Sequence, residues 1–406
     1  MIYLDYQATT PLAPEVAAAM RPWIDTNFGN PHSPHRLGRE AAAAIEVARE
    51  RVVRALTTPL PDFREGPGVG SSARQGAQEG PPRTPAGNPE GGEKGGFYFT
   101  SGATEAANWA LKGAAARLPP DKRKIVTLAT EHACVFDTIE WLGGQGFEAD
   151  FLPVQPDGLV DLDLAAERID DRTGLVAAML VNNEIGVIQP VEQIAELAHR
   201  RGALFFCDAV QALGRIAIPL HACDMVAVSA HKVHGPKGIG GLWLRDGLQI
   251  DPLLHGGGQE GGLRSGTLSP ALCVGLGEAA RLLVERRDAD HEHVDRLWEV
   301  ARRATQGWTL NGSFEHRYRG NLNIRAEGID SARLISEVRQ VAFSAGSACA
   351  SGSGRPSHVL QAIGLADREA RSSIRLGFGR YTSEEELTRA LGLILDAAAR
   401  QRSFAA

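Results

Sequence analysis

Four apolar runs in this chain end in side chains that can do chemistry. The run at 225–229 leads into Ser229-Ala230-His231-Lys232, and the run at 204–208 ends in Asp208 with Gln211 one turn later. The run at 125–130 is followed by Glu131 and His132, and the run at 175–182 by Asn183 and Glu184. A further run, 97–100, opens into Ser101-Gly102-Ala103-Thr104-Glu105, where small residues let backbone N–H groups at a helix start approach an anion. Thr104 adds a hydroxyl there. Taken alone, that pentapeptide is also an ordinary helix cap, and a single lysine or aspartate after a strand is ordinarily a solvated loop residue. Brought to one rim, however, an amine, a carboxylate, an amide, an imidazole and an anion nest meet the needs of pyridoxal phosphate. The lysine forms the Schiff base, the carboxylate keeps the pyridine nitrogen protonated, and the nest takes the phosphate. Lysine's readily shifted pKa suits that role. A metal hydrolase fits poorly, because His231 and His234 lack acidic or cysteine companions at ligand spacing.

These clusters can meet only if the runs are strands of one sheet with its ligand at their carboxyl ends. FYFT (97–100), IVTLAT (125–130), LVAAMLVN (175–182), LFFCD (204–208), MVAVS (225–229) and GLWL (241–244) are almost continuously apolar. They alternate with helical stretches such as 104–117 and 191–201, the pattern of a parallel α/β sheet buried on both faces. Beyond about residue 285 a charged helix (278–304), the short pieces NLNIRA and SIRLGF, and an amphipathic helix at 383–400 point to a smaller α+β domain. The expected division is a large domain over 15–285 and a small one made of 1–14 plus 286–406. Residues 61–96 are rich in Gly, Pro, Ser and charge, and read as a disordered surface insertion.

With 43% hydrophobic and 23% charged residues over 406 positions, the composition is that of a globular protein. A net charge of -6 argues against nucleic acid as a partner. No window reaches the ~18–20 apolar residues of a membrane span, and MIYLDYQATTPLAP is not a secretory signal. The five cysteines are scattered, as expected of reduced thiols in a cytoplasmic protein. Cys207 and Cys273 lie in apolar segments and read as core thiols. Cys349 alone sits in a glycine-rich loop, 344–354, whose backbone is free to swing; Cys134, near His132, is a second nucleophile candidate.

SAHKVHGPKGIGGLWL resembles the lysine segment of the cysteine desulfurases, a NifS/IscS-type branch of the class V aminotransferase family. YLDYQATTP, FGNPHSPH, FTSGATEAAN, EHACV, VNNEIGVIQP, DAVQALG, HGGGQEGGLRSGT, SAGSACASG and SSIRLGFGR follow the same family in order, over essentially the whole chain outside 61–96. The resemblance implies the type I fold of pyridoxal-phosphate-dependent transferases: an α/β domain with a mainly parallel seven-stranded sheet sandwiched by helices, and a smaller α+β domain. It implies Lys232 as the Schiff-base lysine, Lys237 outside that role, Asp208 as the pyridinium partner, and His132 as a ring-stacking and proton-transferring histidine. Asn183 and Gln211 match contacts near the phenolic oxygen. Ala103, Thr104, Ser229 and His231 match the phosphate cradle, joined by Thr267 from a second subunit of a homodimer. Asn30 and Arg375 match the grip on the substrate carboxylate, for which a guanidinium fork is well shaped.

Cys349 matches the catalytic cysteine. The implied reaction takes sulfur from L-cysteine, leaving alanine and a persulfide on Cys349, with the thiolate as nucleophile, for transfer to an acceptor in iron–sulfur cluster assembly or tRNA thiolation. A selenocysteine lyase, or another class V lyase or aminotransferase, would share the pocket. A non-catalytic sulfur-relay protein would need none of the lysine, aspartate, histidine and cysteine set. Two departures stand out: the chain ends at Ala406 without the tail on which iron–sulfur scaffolds dock in that branch, and Gln7 replaces a usually smaller residue.

Overall fold

The computed structural model describes residues 1–58, 95–345 and 357–405. The chain opens with a short strand, β1 (Ile2–Tyr3), and two helices, α1 (Pro14–Asp25) and α2 (Arg36–Thr57). A seven-stranded sheet follows, built from β2 (Gly95–Thr100), β3 (Lys124–Leu128), β4 (Glu148–Leu152), β5 (Thr173–Met179), β6 (Leu204–Asp208), β7 (Met225–Ser229) and β8 (Gly240–Arg245). Its order is β2-β8-β7-β6-β5-β3-β4. Neighbours from β7 to β4 pair in parallel, whereas β8 runs antiparallel to both β7 and β2. The mainly parallel α/β architecture expected from the apolar runs is therefore present.

Every residue of β3, β5 and β7 is buried, as strands covered on both faces require. On one face, α3 (Ala103–Ala115) and α4 (Ala133–Gly143) pack Trp109 and Ile139 against Leu175, Phe206 and Leu244. On the other, α1, α2, α5 (Leu162–Arg168) and α6 (Val191–Arg200) cover Phe205, Val226 and Val176. The long helix α7 (Pro270–Ala304) joins this core at Cys273 and Leu276. Its far end places Leu297, Trp298 and Ala301 in a separate core with Leu4, Leu322, Ile374 and Leu391. That second core is framed by a three-stranded sheet of β9 (Thr309–Leu310), β10 (Asn321–Arg325) and β12 (Ser373–Gly377), with β11 (Val341–Ala342) pairing in parallel with β1. Helices α8 (Ser331–Glu337) and α11 (Glu384–Ala405) complete it, while α9 (His358–Ala362) and α10 (Asp367–Arg371) pack Leu360 and Ala370 in a smaller cluster with Ile185 and Val187.

Three expectations need correction. Two strands end earlier than their apolar runs, at Leu128 and Met179; after β5 the Asn182 side chain accepts the Glu184 and Ile185 N–H groups at 2.9 and 3.0 Å and turns the chain. Gly95 and Gly96, counted with the insertion, belong to β2 and pair with Arg245 and Leu244; most of 61–96 lies outside the described residues. Strand β4, EADFL, was not anticipated: as an edge strand it carries an exposed Glu148 and a buried Asp150 beside half-buried Ala149 and Phe151 instead of forming an apolar run. No helix among the described residues is long and apolar enough to cross a membrane.

Candidate active site

A cavity of about 830 Å³ opens at the carboxyl ends of β5, β6 and β7, where Met179, Asp208 and Ser229 face it. Ala103, Thr104, His132, Asn183, Gln211, His231, Lys232 and Arg375 line it too. The N-terminus of α3 forms one wall. Its N-cap, Gly102, has no side chain to cap the helix, although Glu105 at the third helical position accepts the Ser101 N–H as in an ordinary capping arrangement. The first N–H groups of a helix lack intrahelical acceptors, and here they border the cavity together with the Thr104 hydroxyl. Asn183, from the loop after β5, also lines the cavity, and its Oδ1 atom is buried without a hydrogen-bond partner.

Lys232 sits in a short helical turn directly after β7, which points its amine at the N-terminal segment: Nζ donates to the carbonyls of Gln7 and Ala8 at 2.6 and 2.8 Å. Burial, then the neighbouring Arg215 and Arg375 charges, pull its pKa down to about 8, against the pull of Asp208 and Asp5. Asp208 closes β6 and accepts the Val210 N–H at 2.9 Å; burial raises its pKa, with His132 and Lys232 working the other way. His132 is the N-cap of α4, and its Nδ1 accepts the Cys134 N–H at 3.2 Å. That bond leaves the proton of a neutral ring on Nε2. Burial lowers its pKa, Asp208 opposes, and Lys232 and His358 add to the lowering. Burial likewise takes His231 down to about 4, helped by Lys232 and Lys237.

Arg375 on β12 is almost fully buried, and its fork is engaged: Nη1 donates to the Asn183 carbonyl at 2.9 Å and Nη2 to Asp5 at 2.8 Å. Cys134 borders the cavity with Sγ 3.1 Å from His132 Nδ1, but burial, then Asp208 and Glu131, push its thiol well up, so it is no thiolate. Cys349 lies outside the described residues. The residues flanking its segment are fixed at the cavity: Ser344 pairs with Arg375, Ser357 Oγ donates to Glu184, and His358 donates from Nε2 to the Glu131 carbonyl at 2.9 Å.

A family model described as Aminotransferase class-V matches residues 2–62 and 92–390. The chain belongs to this family. Curated relatives include Cysteine desulfurase IscS of Rickettsia akari (strain Hartford), 40% identical over 97% of this chain and 90% of the relative. The protein of the same name from Rickettsia bellii (strain OSU 85-389) is also 40% identical, with the same coverage. Among solved structures, a NifS-like protein superposes with a TM-score of 0.83 at 31% identity, covering 98% of this chain and 99% of that one. A structure titled SspA in complex with cysteine gives 0.75 at 32% identity, covering 94% and 100%. The resemblance to cysteine desulfurases drawn from the motifs is borne out by these relatives.

Within this class V chain, two of the residues singled out by motif are not brought to the cavity. Thr267 is exposed and absent from the lining, and Asn30 is exposed, its Oδ1 accepting the His32 N–H at 2.9 Å. Other residues matter that motif reading passed over. The Gln7 and Ala8 carbonyls hold the Lys232 amine; Gln7 had signalled itself only as a departure from the family pattern. Gly377 leaves the room Gln7 needs, since a Cβ there would stand 1.7 Å from its Oε1. Arg264 clamps Glu105 with bonds of 2.7 and 3.0 Å, and Glu105 in turn accepts the Ser101 N–H, fixing the start of α3.

Proposed function

We propose that this protein is a pyridoxal-phosphate-dependent cysteine desulfurase. The observation that carries the reading is that the Lys232 amine, the Asp208 carboxylate and an N-terminal helix end without a side-chain cap share one cavity, with both flanks of the Cys349 segment anchored beside it. The cofactor fits what is present: the start of α3, Ser229 and His231 suit its phosphate, Asp208 its pyridine nitrogen, Lys232 its carbonyl carbon, and the unpartnered Asn183 Oδ1 a donor on its rim. Bound there, it supplies an electron sink for the charge released when a Cα–H bond is broken.

The side chains divide the remaining work. Lys232, with a pKa near neutrality, carries the Cα proton off and back. His132, kept neutral with its proton on Nε2, stacks over the site and handles protons near the substrate sulfur. Arg375 receives the substrate carboxylate, sharing its fork with Asp5. The thiolate of Cys349 bonds to the substrate sulfur as the C–S bond breaks; the carbon left behind takes a proton and departs as alanine, and the persulfide stays on Cys349. Thr267 serves the site of a second copy in a homodimer, and an acceptor protein in a cytoplasmic sulfur pathway takes the persulfide. Residues 1–14 and 286–406 form the domain that carries Cys349.

Cys349→Ala should keep the visible absorbance of the bound cofactor and lose alanine formation from L-cysteine, whereas Cys134→Ala keeps both. Full alanine formation in Cys349→Ala would overturn the assignment of the nucleophile.

A further inference from the structure

Arg215 does not line the large cavity. It lies against a smaller cleft of about 60 Å³, which Lys232 also borders, together with Tyr318, Leu283 and Arg380. Its Nη2 donates to the Lys232 carbonyl at 2.8 Å. Its Nη1 donates to the Gln211 carbonyl at 3.3 Å and to the Gln211 Oε1 atom. The guanidinium carbon stands 5.1 Å from the centre of the Tyr318 ring. Every hydrogen-bond acceptor it meets among the described residues is neutral. A guanidinium stays charged, and even half-buried it is costly to place without a carboxylate; none of the three oxygens it binds carries a charge to balance it. The charge itself therefore calls for a reason, and among the ionisable groups of the cavity it is Lys232 whose turn Arg215 holds.

We propose that Arg215 is a positioning residue of this active site: it holds the Lys232 turn and the Gln211 side chain in one register, and it sets a fixed positive charge beside the lysine amine. The inference rests on reading Lys232 as the cofactor lysine. Gln211 is held twice, since its Nε2 donates to the Gln7 carbonyl at 3.0 Å, the same carbonyl that accepts Lys232 Nζ. Arg215, Gln211, Gln7 and Lys232 thus close a ring of hydrogen bonds around the amine. Of the charged groups facing it, Arg215 and Arg375 favour the neutral amine after burial, and Asp208 and Asp5 favour the ammonium. His132 and His231 also face it, both with lowered pKa, and Lys237 acts on His231.

The test is the rate at which cofactor-free protein takes up pyridoxal phosphate, followed by visible absorbance across pH, in wild type, Arg215→Gln and Arg215→Lys. Wild-type uptake should rise with pH through a midpoint near 8. In Arg215→Gln the midpoint should move up by about half a pH unit or more, slowing uptake about threefold at pH 7.5. Arg215→Lys should keep the midpoint and lower the plateau, because the charge remains and the fork is lost. A folded Arg215→Gln with wild-type midpoint and plateau overturns the inference alone. If that variant does not fold, a wild-type plateau in Arg215→Lys overturns it. Absence of uptake by wild type at every pH overturns the cofactor reading and this inference with it.

Discussion

An ionisable side chain buried beside a cavity is driven towards its neutral form, and Lys232 and Glu131 show the two signs of that effect. Glu131 is fully buried; its Oε1 accepts the Met179 N–H at 2.7 Å and its Oε2 has no partner. Burial raises its pKa well above the usual range, the Met179 bond opposes, and Asp208 adds to the rise. A carboxyl whose pKa is higher folded than unfolded stabilises the fold fully below its unfolded value, and that contribution is lost as pH rises through the folded value. Glu131→Gln keeps an acceptor for Met179 and removes the titration. The unfolding free energy of cofactor-free wild type, read from urea titrations, should therefore fall relative to Glu131→Gln as pH rises above the usual carboxylate range, by up to about 1.4 kcal/mol for each pH unit. Parallel unfolding free energies across that range would contradict a neutral Glu131.

At this scale the sequence was informative where chemistry and position coincide. Lys232, Asp208 and His132 follow apolar runs, so strand topology alone takes them to one rim. The contacts that tune them were not legible. Gln7 meets Lys232 across 225 positions of chain, and it does so through a backbone carbonyl, which no residue type announces.

Among the elements, β8 is what brings the start of α3 close to the end of β7. It pairs antiparallel with β2 and β7 at once, and Gly240 lies at the crossing. A Cβ on Gly240 would stand 2.5 Å from the Val228 carbonyl oxygen and 2.9 Å from the Gly102 backbone, too close for either to remain in place. Gly240→Ala should cost about 1–3 kcal/mol of stability and weaken retention of pyridoxal phosphate, because the N–H groups at Ala103 and Thr104 must shift. Thermal melting and cofactor titration together check this; unchanged values in both would show that α3 is positioned by something else. The direction of β8 could not be read from GLWL, since an apolar run has the same signature either way up. Strand β4 escaped for the opposite reason, its charged edge residues concealing a strand that pairs along its whole length with β3.

The whole molecule is organised around α7, which runs from the core beneath the large sheet to the core formed by Leu4, Leu297 and Leu322. The N-terminal segment makes the same crossing: β1 pairs with β11, while the carbonyls of Gln7 and Ala8 reach Lys232. Arg375, from β12, meets Asn183 from the loop after β5. A cavity walled by both parts suits a reaction in which one holds the cofactor and the other delivers a thiol.

The direct test is to record the visible spectrum of the purified protein with pyridoxal phosphate, add L-cysteine, and assay alanine and sulfide in the presence of a reducing thiol. The account predicts an absorption band that Lys232→Ala lacks, with alanine and sulfide released in equal amounts. A band without alanine would contradict the desulfurase reading, and no band at all, even with added cofactor, would contradict the role of Lys232.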